Sequence, residues 1–182
     1  MQFNVAQLMK AHVGTCLESD IHEVDVQLDS DIKVVGPIDG HVRMRRTNQG
    51  ILADGWVDMI VELVCDRCLK EFQQPTHVAF EELFYPTLDM ITGLPMPAPI
   101  DEEEAFPIDD HHILDLTEVV RQDLLLQQPM IILCREDCPG LCSQCGHDLS
   151  LGPCDCKPEV VDSRFSVLEK LLQNGSQPEQ AR

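Results

Sequence analysis

The chain has 182 residues, of which 43% are hydrophobic and 25% are charged, a composition typical of a soluble globular protein. Its 13 basic and 32 acidic residues give a formal net charge of -19. This charge disfavours a broad nucleic-acid-binding surface and favours association with basic partners.

The N-terminal sequence lacks the features of a secretory signal. It has neither a basic start nor a long apolar run, and no segment approaches the about 18 apolar residues that a membrane helix needs. We therefore expect a cytoplasmic protein with no membrane association. In that reducing compartment, nine cysteines at short spacings indicate metal or redox chemistry rather than disulfides.

The first 85 residues predict a β-rich half. Apolar and polar residues alternate in four short segments, as expected for half-buried strands. These segments are 23–29 with Val24, Val26 and Leu28, 41–45 with Val42 and Met44, 56–64 with Val57, Met59, Val61 and Leu63, and 77–84. A turn ending at Gly50 separates the second from the third, so we expect a hairpin over residues 41–64.

Residues 86–112 predict an acidic, proline-rich loop. Proline lacks a backbone N–H and fixes φ, so a segment with five prolines is not expected to continue a strand or a helix. His111 and His112 follow an acidic run and could contribute to a divalent-cation site. A solvated loop is the simpler expectation.

Residues 113–172 predict two helices around a cysteine-rich segment. Asp115 is a candidate cap for the first helix, with Glu118 placed as in a capping box, and Pro129 should end it. Its apolar stripe consists of Leu116, Val119, Val120 and Leu124. A second helix is expected after Asp162, where Phe165, Leu168 and Leu172 repeat at helical spacing.

The predicted fold class is therefore α+β. An antiparallel β-rich half, a partly open barrel or a sheet, occupies residues 1–85 and contains the first cysteine pair. The acidic loop at 86–112 follows. The helix, a cysteine-rich zinc knuckle and the C-terminal helix, within 113–172, are expected to pack on the β half. Residues 173–182 are expected to form a disordered tail.

Eight of the nine cysteines form close pairs: Cys65 and Cys68, Cys134 and Cys138, Cys142 and Cys145, and Cys154 and Cys156. Two thiolates two residues apart can reach one tetrahedral ion at a Zn–S distance of about 2.3 Å, so such pairs are half-sites of structural zinc. Gly146 follows Cys145 where a knuckle often needs positive φ. The eight thiols predict two structural zinc ions.

Two partitions of these cysteines are open. The tightest local set is Cys142, Cys145, Cys154 and Cys156, whose short loop closes at little entropic cost. The other two pairs would then bind a second ion and connect the β half to the segment after the helix. In an interleaved alternative, Cys138 joins the local knuckle and Cys134 is unligated. We favour four plus four because it leaves no thiolate unpaired beside a dication.

Three other uses of the thiols fit the sequence less well. A redox Cys-x-x-Cys centre needs a helix beginning at the first cysteine, whereas Cys65 follows a predicted strand. An iron–sulfur cluster also takes four thiolates, although the short spacings match zinc better. A catalytic zinc needs an open position, and His147, the only histidine in the cluster, is expected to face solvent. Without other catalytic motifs, no enzyme is expected.

Cys16 remains as a free thiol or a small core residue.

Despite the acidic composition, a few basic residues cluster. The candidates for contact with RNA are Arg43, Arg45, Arg46, Arg67 and Lys70. An ordinary solvated hairpin face is the simpler interpretation of Arg43, Arg45 and Arg46.

The ordered cysteine string resembles the YceD family of large ribosomal RNA subunit accumulation proteins, also called domain of unknown function 177. The resemblance runs from about Asp31 to Leu172. It depends on CDRCLKEF at 65–72, DLTEVVRQDLLLQQPMIILCREDCPGLCSQCGHDLSLGPCDC at 115–156, and Asp162, Arg164 and VLEKLL beyond. Ser150 stands where the family is expected to have Asn, and Phe165 where Trp is frequent. Neither difference removes a thiol.

The resemblance implies a non-enzymatic factor in large ribosomal subunit biogenesis that supports accumulation of 23S rRNA. It also implies a gene beside that of a small, basic zinc-ribbon ribosomal protein. Combined with the acidic charge, it favours an adaptor for a basic large-subunit ribosomal protein, so the expected partner is such a protein or a pre-ribosomal particle. A direct rRNA-binding module is the alternative. A thiol or metal enzyme that acts on RNA or ribosomal protein is a third hypothesis, for which Cys16 is the only candidate thiolate not needed for folding.

Overall fold

The computed structural model describes residues 1–24, 26–28, 32–89, 92–96 and 106–156. The chain divides into two compact units, Met1–Cys138 and Pro139–Arg182. All the strands and both α-helices described below belong to the first unit, and the described part of the second contains a 3-10 turn at Leu149–Leu151. The boundary falls inside the segment 113–172, so its first helix belongs with the β half.

A five-stranded sheet dominates the first unit. Its strands lie in the order β2 (Cys16–Glu23), β3 (Lys33–Arg46), β4 (Ile51–Val64), β5 (Glu71–Pro86) and β6 (Phe106–Ile108). Neighbours from β2 to β5 are antiparallel, whereas β6 runs parallel to β5. No ladder joins β2 to β6 among the described residues, so the sheet is open. The prediction of an α+β, β-rich fold is confirmed.

The smaller elements come from the first ten residues of this unit and from residues 113–127. β1 (Gln2–Asn4) pairs with β7 (Ile113–Asp115), α1 spans Ala6–Lys10 and α2 spans Thr117–Gln127. In the described part of the chain, no helix combines the length and the apolar character needed to span a bilayer.

One face of the long strands builds the core. The alternating residues predicted on β3 and β4 are buried: Val42, Met44, Val57, Met59, Val61 and Leu63. α2 packs against β5 and buries its whole predicted stripe, Leu116, Val119, Val120 and Leu124, in the same cluster. Because each large apolar side chain contributes about 1.5–3 kcal/mol when buried, this stripe fixes α2 on the sheet.

The long β4–β5 hairpin has one continuous register. It runs from Ile51 opposite Phe84 to Val64 opposite Glu71 without an irregularity. β3 pairs with β4 less evenly, because its register shifts between Val35 and Asp39.

Asp115 and Pro129 set the ends of α2. The Asp115 carboxylate accepts hydrogen bonds from the backbone N–H of Thr117 at 2.9 Å and from its hydroxyl at 2.6 Å, which satisfies a free donor of the first turn. Gln128 has an extended ψ of 133° because a residue that precedes proline avoids the helical region.

The strand predicted at 23–29 is wrong. The strand beside β3 is Cys16–Glu23, and the described residues 24 and 26–28 are not in a strand. β2 is an edge strand on which Ile21 is the only buried residue, so its sequence lacks a clear alternation. Leu28, by contrast, is buried from irregular backbone.

The segment predicted as a loop at 86–112 contains a short strand, β6, which the sequence did not predict. Phe106 lies opposite Phe84, with ring centroids 5.6 Å apart, so aromatic packing holds β6 against β5. Pro107 is tolerated because an edge strand leaves one row of backbone groups unpaired. The acidic run at 101–105, the predicted helix at 162–172 and the predicted tail at 173–182 lie outside the described residues.

Gly55 of β4 allows close approach of the neighbouring strand. A β-carbon there would lie 2.2 Å from the His41 carbonyl oxygen and 3.0 Å from Cζ of Phe80. We expect Gly55→Ala to lower the free energy of unfolding by about 2 kcal/mol or more in urea titrations, since a packed site must distort.

Gly36→Ala is the matched control. At Gly36 no atom lies within 4 Å of the added carbon, and only the φ of +83° opposes alanine. We expect a loss of about 1 kcal/mol. Equal losses in the two variants would contradict the close-approach argument.

Candidate metal centres

The first cysteine pair lies in the turn between β4 and β5. Its chain reversal is held by two backbone hydrogen bonds, from Cys65 N–H to the Lys70 carbonyl at 2.9 Å and from Leu69 N–H to the Cys65 carbonyl at 2.8 Å. Leu69 has a φ of +57°, unusual for a residue with a side chain. Cys65 and Cys68 are both buried. The turn therefore directs both thiols to the interior side of the hairpin tip.

The two residues between these cysteines bind the segment that follows α2. Asp66 N–H donates to the Ile132 carbonyl at 2.8 Å, and Ile132 N–H donates to the Asp66 carboxylate at 2.6 Å. The Arg67 guanidinium donates to the Cys138 carbonyl at 3.0 Å. These contacts bring Cys134 and Cys138 to the hairpin tip. Sequence reasoning assigned no role to Asp66.

Four sulfurs converge at this point and form site 1: Cys65, Cys68, Cys134 and Cys138. Their Sγ atoms all lie within 4.8 Å of one another. The Cys65–Cys138 and Cys68–Cys134 distances are both 3.8 Å, much longer than a disulfide bond of about 2.0 Å. Ligands at about 2.3 Å from a tetrahedral ion would be about 3.8 Å apart. The spacing fits one metal ion.

The second unit contains an equivalent arrangement, site 2, formed by Cys142, Cys145, Cys154 and Cys156. Cys142 N–H donates to the His147 carbonyl at 2.8 Å, and Gly146 N–H donates to the Cys142 carbonyl at 2.9 Å. Asp148 accepts a hydrogen bond from Ser150 N–H at 2.8 Å and begins the 3-10 turn that leads to the last pair. As expected from the sequence, His147 is exposed.

The turns at Cys65 and at Cys142 follow the same hydrogen-bond pattern. In the sequence, this structural repeat is visible only as two Cys-x-x-Cys pairs. In both, the first cysteine bonds to the residues four and five positions later. Leu69 occupies the position of Gly146, with φ values of +57° and +71°. The predicted role of Gly146 as a positive-φ residue is observed, whereas Leu69 adopts that conformation despite its side chain.

The thiols of each set have opposed acidities. In site 1, the Cys65 sulfur accepts a hydrogen bond from Cys134 N–H, which lowers the pKa of Cys65 to about 6. Burial raises the pKa of Cys134 to about 12. In site 2, the bond from Cys145 N–H lowers the pKa of Cys142 to about 6, and the neighbouring Cys145 sulfur raises the pKa of Cys156 to about 12. Each set stabilises one thiolate and resists full ionisation, so a cation at its centre would supply the missing charge.

The eight cysteines thus lie in two sets of four, each of which could hold a metal ion. The grouping is that of the four-plus-four partition, with Cys138 in site 1. Cys16 belongs to neither set and is exposed.

The five candidate RNA contacts lie in two separate places. Arg43 and Arg45 contact the same carboxylate, Asp54, near the start of β4, at 2.7 and 3.5 Å. Arg67 and Lys70 lie in the turn that follows the C-terminal end of β4. Along the strand, this turn is roughly 35 Å from Asp54. Arg46 donates to the Thr47 and Gly50 carbonyls at 2.7 and 2.9 Å. The structure does not bring these residues into one basic patch.

Residues 53–172 match the model of one protein family, described as Large ribosomal RNA subunit accumulation protein YceD. The chain belongs to the YceD family. This confirms the resemblance inferred from the cysteine string, and it covers both cysteine sets.

Relatives are found in Mycobacterium and Bacillus species. The uncharacterized proteins Mb2951c of Mycobacterium bovis and Rv2926c of Mycobacterium tuberculosis are each 33% identical over 136 residues, covering 74% of this chain and 62% of their own length. The uncharacterized protein YlbN of Bacillus subtilis is 29% identical over 149 residues, covering 80% of each chain. The chain thus spans less than two thirds of the mycobacterial relatives. No solved structure matches it significantly.

Cys134→Ser distinguishes the two partitions of the cysteines. With four ligands per site, we expect the variant to lose one of about two bound metal ions per chain, measured by elemental analysis after purification without chelator. Cys16→Ser, the matched control, should retain both. In the interleaved partition Cys134 has no metal, so a Cys134→Ser protein with unchanged metal content would contradict the four-plus-four assignment.

The equivalent positions Gly146 and Leu69 should respond differently to alanine. Gly146→Ala introduces a β-carbon at positive φ and should weaken metal retention at site 2 by about 1 kcal/mol in chelator competition. Leu69→Ala adds no such strain at site 1, because that position already has a β-carbon. A Leu69→Ala loss as large as that of Gly146→Ala would show that the shared turn is not the cause.

Proposed function

We propose that this protein is a non-enzymatic, cytoplasmic factor in large ribosomal subunit biogenesis. It supports 23S rRNA synthesis, processing or accumulation as an acidic adaptor for a basic large-subunit ribosomal protein. The family description supplies the process, and the observation that supports the adaptor mode is the internal pairing of the basic side chains. Within the described residues, the four candidate arginines all have partners inside the protein.

These pairings make a phosphate-binding surface unfavourable. Arg43 forms two hydrogen bonds with Asp54, at 2.7 and 3.2 Å, and Arg45 contacts the same carboxylate. Arg67 already donates to a backbone carbonyl of site 1. A phosphate would have to displace these partners and approach a protein of formal charge -19. A cationic protein would experience attraction at long range.

Zinc is the proposed metal of both centres, in a structural role. Four thiolates around one point form the usual closed shell of structural zinc, and the 3.8 Å sulfur spacing is that of a single tetrahedral ion. A cluster with several irons and bridging sulfides would need a wider cage. In such a shell the ion would supply positive charge that holds the four thiolates together. Cys65, Asp66 and Arg67 would then join the hairpin tip to the segment after α2.

The proposed role includes no turnover. Sulfur at every position of a four-coordinate ion leaves no site for a substrate or an activated water. The remaining thiol, Cys16, is exposed and has its sulfur 3.6 Å from the Gly14 carbonyl oxygen. No histidine or carboxylate near it is among its described hydrogen-bond partners.

The adaptor role predicts salt-sensitive capture of a basic ribosomal protein. We expect the tagged protein, isolated from cells at about 0.05 M salt, to retain a cationic large-subunit protein that is released above about 0.2 M salt. Mass spectrometry and RNA sequencing of the bound fraction identify the partner. The triple variant Arg43→Ala, Arg45→Ala, Arg46→Ala should retain this capture.

Direct rRNA binding gives the opposite result. It predicts RNA that stays bound at about 0.2 M salt and is lost in the triple-alanine variant. Recovery of rRNA without any basic ribosomal protein would overturn the adaptor role. Metal content separates loss of binding from loss of folding, because both preparations should contain about two zinc ions per chain.

A further inference from the structure

Two carboxylates lie side by side on the outer face of the sheet. Asp39 of β3 is in register with Asp58 of β4, and their side chains are 60% and 57% exposed. Like charges directly opposite each other on adjacent strands are destabilising. In the described part of the chain, their ion-pair partners are histidines, His22 for Asp39 at 2.5 Å and His77 for Asp58 at 2.6 Å.

A pocket of about 370 Å³ adjoins this pair of carboxylates. Val35 and Pro37 line it at the register shift of β3, and Ile60 and Pro75 line it from β4 and β5. Asp39, Asp58 and His77 also line it. Ile60 is 40% exposed, so an apolar surface is open beside the two carboxylates. Long basic side chains bury their methylene stems on such surfaces and keep their charge in water.

An exposed indole continues this surface. Trp56, the only tryptophan of the chain, is 41% exposed and stacks on His77 with ring centroids 5.7 Å apart and an interplanar angle of 28°. The face of an indole attracts a guanidinium or an ammonium group. The same small area thus presents an apolar wall, two carboxylates and an aromatic ring.

We propose that this outer sheet face binds a lysine or arginine side chain from a cationic segment of a partner protein. The proposal rests on the adaptor role above and assigns its contact site. The carboxylate pair repels phosphate, which disfavours nucleic acid. Among the described residues, only the two cysteine sets bring three or more metal-ligand atoms together, which disfavours a divalent cation.

The test uses an arginine-rich synthetic peptide as the probe and the whole 182-residue chain. The peptide should change the fluorescence of Trp56, and its citrulline analogue, which lacks the charge, should not. Asp39→Asn combined with Asp58→Asn should weaken binding about tenfold at about 0.05 M salt. Ile60→Lys, which places an ammonium group beside the carboxylates, should weaken it similarly.

Glu18→Gln combined with Glu81→Gln is the matched control. Both residues are exposed, they lie in the cross-strand row that contains Arg43 and Asp54, and the variant loses the same charge. It should weaken binding by less than about twofold, since only long-range attraction changes. Equal weakening in the two double variants would overturn the site, as would unchanged Trp56 fluorescence at saturating peptide.

Failure of the peptide-binding test can be distinguished from failure of the proposed adaptor role. If the peptide binds elsewhere on the protein, capture of a basic ribosomal protein from cells still stands. If the peptide binds at this face but cells yield only RNA, the adaptor role fails and the contact site remains. An RNA oligonucleotide that quenches Trp56 and competes with the peptide would overturn the proposed choice of partner.

Discussion

The meeting of four sulfurs at the tip of the β4–β5 hairpin is the constraint on which the first unit depends. Cys68 and Cys134 are 66 residues apart in sequence, yet their sulfurs are 3.8 Å apart. The entropic cost of closing such a loop must be offset by local contacts. The Asp66 hydrogen bonds to Ile132 contribute, and the buried stripe of α2 positions the start of the segment. Sheet, helix and cysteines therefore stabilise one another.

Much of the fold follows from the sequence, because periodicity reports which faces are buried. Val57, Met59, Val61 and Leu63 alternate and are buried, and the stripe of α2 is recognisable for the same reason. Periodicity of apolar residues does not reveal a strand that buries few of its side chains. β2 buries Ile21 alone, and β6 consists of three residues around a proline. Neither leaves a periodic signal.

The sequence predicts the metal-binding cysteines of the candidate sites but not the residues that hold them in place. The cysteines stand out because metal chemistry requires thiols at short spacings, and Gly146 because the turn needs positive φ. The role of Arg67 was not predictable, since its partner is the Cys138 carbonyl, which only the tertiary fold brings near. The same holds for Asp39 and Asp58, which are adjacent only through strand register.

The uninterrupted β4–β5 register has a consequence for how the protein reaches its native state. A slip by one residue would turn every side chain of one strand to the opposite face and shift the hairpin tip. Cys65 and Cys68 would then be displaced relative to Cys134 and Cys138, and Asp66 could not reach Ile132. A chain with mispaired strands would lack the four converging sulfurs, so the complete set is compatible only with the observed alignment of β4 and β5.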